Sequence, residues 1–130
     1  MGLIIKEQID MSQEAEPTVI HLSKSSMSSQ RYSLNFTIFS SRDDLDLSGT
    51  ASAKLVGTLS TGEKYELSRS LSRASDYKTG TVTGYAYRLA SVPGKHVMQI
   101  KTTINGKNLH SSKIIFITED LPEFEGGYQS

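Results

Sequence analysis

From Tyr32 onward the apolar side chains of this chain recur at every second position: Tyr32, Leu34, Phe36 and Ile38 alternate with Ser33, Asn35 and Thr37. Successive side chains of a strand point to opposite faces, so this pattern specifies a half-buried β-strand. Ala51, Ala53, Leu55 and Leu59 repeat it, Ser60-Thr61-Gly62-Glu63 supplies a turn, and Tyr65, Leu67 and Leu71 alternate back, which predicts a hairpin over 50–72. Gly80 to Leu89 reads as a further strand, with Tyr85, Tyr87 and Leu89 on one face and Val82 and Ala86 on the other. After Val92-Pro93-Gly94, the residues His96, Met98, Ile100 and Ile104 alternate up to Asn105-Gly106. Both of those tolerate the positive φ of a type I′ turn, so a two-residue loop should pair Ile104 with Lys107 and Val97 with Ile114. The returning strand ends in Ile114-Ile115-Phe116-Ile117, apolar on both faces, as in a strand packed on two sides or at an interface. Upstream, Leu3 to Ile9 and Thr18 to Leu22 are strand-like, the second followed by the Ser-rich turn Ser23 to Ser29.

No stretch of ten or more residues carries a 3.6-residue apolar period between helix caps, and Ser70 to Tyr77 is the one place left for a short helical turn. The 20 Ser and 11 Thr lie between the alternating runs, with Thr on strands and Ser at turns and exposed faces. Strands at intervals of about 8–12 residues joined by turns predict an all-β fold, an antiparallel immunoglobulin-like β-sandwich of seven to eight strands, with an eight-stranded barrel as the alternative. A length of 130 residues suits one domain. We divide the chain into an N-terminal arm or first strand (1–16), the sandwich (17–118) and an acidic C-terminal tail (119–130).

Charge follows the same division. Residues 1–16 carry one base and four acids (net −3), 17–118 thirteen bases and six acids (+7), and 119–130 four acids (−4), so the zero net charge is a cancellation. A basic body with acidic ends predicts either solvated tails or ends that dock on the basic surface of a neighbouring copy.

Candidate chemistry thins out quickly. With no Cys, the chain has no disulfide, thiol nucleophile or zinc-thiolate site, and no cofactor is expected. His96 should share a face with Met98 and Ile100, whereas His110 should face the other way beside Lys101; His21 has no acidic neighbour, so no metal site is expected. A nucleophile elbow is missing, and no catalytic residue is assigned. Asp44-Leu45-Asp46-Leu47-Ser48-Gly49 matches the first half of a calcium loop, but its twelfth position is Leu55 instead of a bidentate Glu, and we expect a polar turn entering a strand. Gly94-Lys95 and Gly106-Lys107 are turn residues outside any phosphate-loop pattern. Tyr85, Tyr87 and Arg88, with Arg69 and Arg73, form a possible ligand surface for stacking on carbohydrate or single-stranded nucleic acid, although +7 over a hundred residues is modest for the latter and we expect no nucleic-acid partner. No apolar run is long enough to span a membrane, and no signal peptide is recognised.

The run Leu45-Asp46-Leu47-Ser48-Gly49-Thr50-Ala51 leading into a strand, after the strand Tyr32 to Phe39, resembles the D-L-[ST]-G-[AT] strand start of immunoglobulin-like domains in phage tail and baseplate proteins. The later elements come in the same order: the turn at Gly62, the strand start Gly80-Thr81-Val82, and Pro93-Gly94-Lys95-His96 opening the hairpin that runs through Asn105-Gly106 to Ile117. Over residues 18–118 the chain is similar to the N-terminal domain of phage upper baseplate proteins. That resemblance implies a non-enzymatic virion component, assembled in the host cytoplasm. It would hold a receptor-binding protein or join subunits, often as a trimer, with other protein subunits as its partners. The apolar start (Leu3, Ile4, Ile5) and the aromatic tail (Phe124, Tyr128) are the expected partner contacts, because an unpaired edge is a template for strand addition. Leu3 to Ile5 forming the first strand of their own sandwich is the equally open alternative.

Overall fold

A computed structural model describes residues 2–12, 15–24, 31–42 and 45–120. The strands are β1 (Gly2–Asp10), β2 (Thr18–Lys24), β3 (Arg31–Phe39), β4 (Ser52–Thr58), β5 (Lys64–Ser70), β6 (Ser72–Arg73), β7 (Gly80–Tyr85), β8 (Gly94–Ile104), β9 (Lys107–His110) and β10 (Ile114–Asp120), with one helical turn, α1 (Tyr87–Ser91), between β7 and β8. They form two sheets. The first has the order β1-β3-β7-β6; the second has the order β2-β10-β8-β4-β5, with β9 also paired to β8.

The sandwich is all-β and mostly antiparallel, as the alternation predicts, but among the described residues it has ten strands instead of seven to eight and two of the pairings are parallel, β1 with β3 and β2 with β10. Parallel neighbours need a crossover between them. Here β2 is the crossover for β1 and β3: the chain leaves the first sheet, adds β2 to the edge of the second, and returns as β3. Leu3 to Ile5 therefore lie in the first strand of their own sheet, and β1 is an edge strand of that sheet.

The period-2 faces become the two inner walls. Leu34, Phe36 and Ile38 of β3, Ala53 and Leu55 of β4, Met98 and Ile100 of β8, and Ile114 and Phe116 of β10 are all buried, with Ile9, Leu22 and Leu47 closing the ends. Phe36 from one sheet meets Phe116 from the other with ring centroids 6.3 Å apart and planes tilted by 34°, within the range of favourable aromatic pairs. Burial of a Phe side chain contributes ~2–3 kcal/mol, so this pair anchors the contact between the sheets. Gly57 of β4 pairs with Met98 of β8, and a Cβ there would collide with the Val97 carbonyl and Met98.

Two local readings of the sequence are corrected. The strand expected to run from Gly80 to Leu89 stops at Tyr85, and Tyr87 and Arg88 lie on α1. Ala86, Leu89 and Ala90 have the i, i+3, i+4 spacing of a helix face, Ala86 and Leu89 are fully buried, and the Ala90 amide donates to the Ala86 carbonyl. Tyr85 and Tyr87 are therefore not on one strand face.

The second correction concerns register. Asn105 and Gly106 take φ of 52° and 79°, and Ile104 pairs with Lys107, as expected of the hairpin. Farther along, however, Val97 pairs with Ile115 and Met98 with Ile114, one residue later than the two-residue loop alone predicts. The extra residue is taken up between β9 and β10 as a bulge. There the buried Ser111 hydroxyl accepts the Ile100 amide at 2.9 Å and donates to the Ser112 carbonyl at 2.6 Å, while the Ser111 amide donates to the Ile100 carbonyl at 2.8 Å. Without that shift Lys113 would stand opposite Met98 in the core; with it, Lys113 faces solvent and Ile114 and Phe116 point inward.

Candidate functional site

The sequence-predicted residues fall on three parts of the surface. On the outer face of the first sheet, Ile4, Ser33 and Tyr85 stand in one cross-strand row. Ile4 is 66% and Tyr85 57% exposed, and farther along that face stand Lys6, Gln8, Asn35 and Thr83, with the Thr37 and Thr81 hydroxyls 3.2 Å apart. Two of the candidate residues, from the apolar start and from the tyrosine pair, thus share a surface. Ile5 points the other way and packs against the core. The side chain of Leu3, and Phe124 and Tyr128 entirely, lie outside the described residues.

Tyr87 is exposed on α1, next to Arg88, whose guanidinium donates to Glu63 at 2.6 Å. The other two arginines of the expected basic-aromatic surface are also committed locally. Arg73 donates to the carbonyls of Leu47 (3.1 Å) and Ser48 (2.8 Å) and lies 5.5 Å from the ring centre of Tyr77, and Arg69 donates to the Ser68 carbonyl. Those same contacts describe the Asp46 turn. The Asp46 carboxylate accepts the Ser48 amide at 3.0 Å, its pKa lowered by the Ser48 side chain and then by that amide, while Leu45 and Leu47 on either side are buried. A guanidinium occupies the nearby carbonyls, which gives the polar turn its structural role. His96 is buried, His21 is exposed, and His110 sits on the outer face of the second sheet beside Lys101. Among the described residues no three His, Asp or Glu side chains are grouped so as to hold a metal ion, and no helix is long and apolar enough to cross a membrane.

The most organised polar surface is on the outer face of the second sheet. Directly paired residues share a face, and the registers Lys54↔Lys101 and Lys101↔His110 place three basic side chains in one row across β4, β8 and β9. The row lines a shallow groove together with residues 49–52, the hairpin-tip residues Asn105, Gly106 and Asn108, and Glu66. A second depression, lined by Pro17, Gln99, Ser112 and Lys113, meets the first at His110. Lys54 reaches one carboxylate, Glu66 at 3.4 Å, with both side chains more than half exposed. Among the described residues Lys101, Lys113 and His110 make no ion pair. On the same face, four residues along β8 from Lys101 and beyond Gln99, lies an apolar band: Val19, Ile115 and Val97 are cross-strand neighbours, and Ile117 extends it. Val19 is 49% exposed.

Reading the sequence as single strands misses this surface, because Lys54 and Lys101 are far apart in the chain. Only the pairing of β4 with β8 joins them. The one visible signal is the expected proximity of His110 and Lys101 across the hairpin.

No protein-family model and no curated protein matches the chain. Among solved structures it is similar to the N-terminal domain of phage TP901-1 ORF48, with a TM-score of 0.60 and 12% sequence identity, over 92% of this chain and 99% of that one. At such identity the likeness is one of fold. The chain thus has the β-sandwich fold of a phage protein's N-terminal domain, the kind of domain its strand order resembles.

Proposed function

We propose that this chain is a non-enzymatic structural module of a phage virion, a tail or baseplate component that joins subunits or holds a receptor-binding protein. The observation that carries the reading is the fold shared with the N-terminal domain of phage TP901-1 ORF48 across nearly the full length of both chains. The surfaces support it in kind. Exposed Ile4 and Tyr85 lie on one flat sheet face, and a basic groove and an apolar band occupy the other, an arrangement suited to contacts with protein subunits. Size-exclusion chromatography with light scattering, together with electron microscopy of the purified full chain, tests it. The expected result is a closed oligomer of defined mass, with a trimer as the leading stoichiometry. A strict monomer at all concentrations overturns the assembly role.

A further inference from the structure

We infer that the basic row Lys54–Lys101–His110, with Lys113 beside it, is the docking groove for the acidic segment 121–130, which follows β10, of a second copy of this chain. The inference deepens the assembly reading and rests on it.

Three observations carry it. The first is charge. Like charges directly opposite one another on neighbouring strands are unfavourable, yet Lys54 and Lys101 stand opposite each other, flanked by His110, and among the described residues Glu66 is the acid that meets this row. A ligand with more than one carboxylate relieves that repulsion, and the segment 121–130, which follows β10, contains Glu123 and Glu125 and no base. The second is composition. That segment interleaves its acids with Leu121, Phe124 and Tyr128, and the apolar band formed by Val19, Val97 and Ile115 lies on the same sheet face as the basic row, four residues along β8 from Lys101. A strand-like peptide laid across the sheet would set carboxylates on the lysines and side chains such as Phe124 on the band.

The third is reach, which decides between the chain's own segment and a neighbour's. β10 starts beside the row and runs away from it: Thr118 pairs with Gly94, seven residues along β8 from Lys101, and Asp120 lies two residues farther. At ~3.3 Å per residue the end of β10 is about 30 Å from the row. Glu125, five residues beyond Asp120, can travel at most about 18 Å from it. The shortfall, about 12 Å along the backbone, only widens when the chain must first reverse direction. A neighbouring copy has no such constraint. Each copy then offers a tail to one neighbour and a groove to another, a head-to-tail contact that closes into a ring when the rotation permits.

Charge reversal in the full-length chain tests this. Lys54→Glu with Lys101→Glu, and separately Glu123→Lys with Glu125→Lys, should each weaken association at least tenfold in light scattering at low salt, with the circular dichroism of the fold unchanged. All four reversals in one chain should restore it. The absence of native cysteine allows a second readout: Lys101→Cys and Glu125→Cys introduced together should give inter-chain disulfides under mild oxidation. An oligomer whose mass is indifferent to both reversals overturns the groove and leaves the assembly role standing, whereas a wild-type chain that is monomeric throughout removes both. A groove reversal that weakens association while the tail reversal does not assigns the row to another anion and overturns the proposal, as does a disulfide confined to one chain.

Discussion

Both ring nitrogens of His96 are engaged in the core. The Ser60 amide donates to Nδ1 at 2.9 Å, which makes that nitrogen the acceptor, so the proton is on Nε2 and is donated to the Val92 carbonyl at 2.8 Å. The ring therefore ties the β4–β5 turn to the segment between α1 and β8, two loops that share no strand pairing. His96→Phe keeps the ring in the core but leaves an amide and a carbonyl without their partner, and should lower unfolding free energy by about 1–3 kcal/mol in urea titration. Asp10 does similar work at the end of β1, accepting the amides of Ser12 (2.9 Å) and Ser41 (3.1 Å). Partial burial pushes its pKa up, but the hydrogen bonds from Ser41 and Ser12 outweigh that, and the net shift is downward. A depressed carboxylate contributes stability that is present above its unfolded value and is lost as pH falls through the folded one. The wild-type chain should thus lose stability below about pH 4 more steeply than Asp10→Asn, measured as urea midpoints across pH 2–6.

At the scale of elements, what the sequence makes legible is local pairing. The hairpin β4–β5 and the turn at Asn105-Gly106 depend on residues within a few positions of one another, with Gly62 and Gly106 at positive φ as their turns require. The bulge between β9 and β10 is invisible at that range, because its cause is a demand made by the opposite sheet. Phe116 must face Phe36, and this sets the register of β10 one residue beyond what the turn dictates. Ser111 is the residue that makes the shift tolerable, since its hydroxyl satisfies the Ile100 amide that the interrupted ladder would leave unpaired. Ser111→Ala should cost about 1–3 kcal/mol and expose the Ile100 amide to faster hydrogen exchange, while Ser111→Thr, which keeps the hydroxyl, should preserve protection there. The α1 turn escaped the alternation for a related reason. As a strand, Ala86 and Leu89 would face opposite ways; the packing of α1 against β2, β3 and β10 buries both, and on a helix their three-residue spacing puts them on one face.

For the molecule as a whole, the relevant distribution of charge is between faces instead of along the chain. The sheets bury their apolar walls against each other, and the registers that do so also gather Lys54, Lys101, His110 and Lys113 at one end of the outer face of the second sheet, while Asp120 leaves from the other. The basic row and the end of β10 thus lie at opposite ends of the sheet, and under the proposed docking copies would attract head to tail. The range of that attraction is set by salt: exposed charges interact over ~30 Å at 0.01 M ionic strength and ~3 Å at 1 M. The apolar band on the same face has no such dependence, since burial of Val19, Val97 and Ile115 is favoured equally or more at high salt. Wild-type association measured by light scattering across that range should weaken as salt rises and then level off at the contribution of the apolar band. The Lys54→Glu, Lys101→Glu chain should start weaker at low salt and show a flat or inverted dependence. A wild-type curve that is flat from the outset would assign the cohesion to apolar contacts alone, and Val97→Asp would then be the substitution that dissolves the assembly.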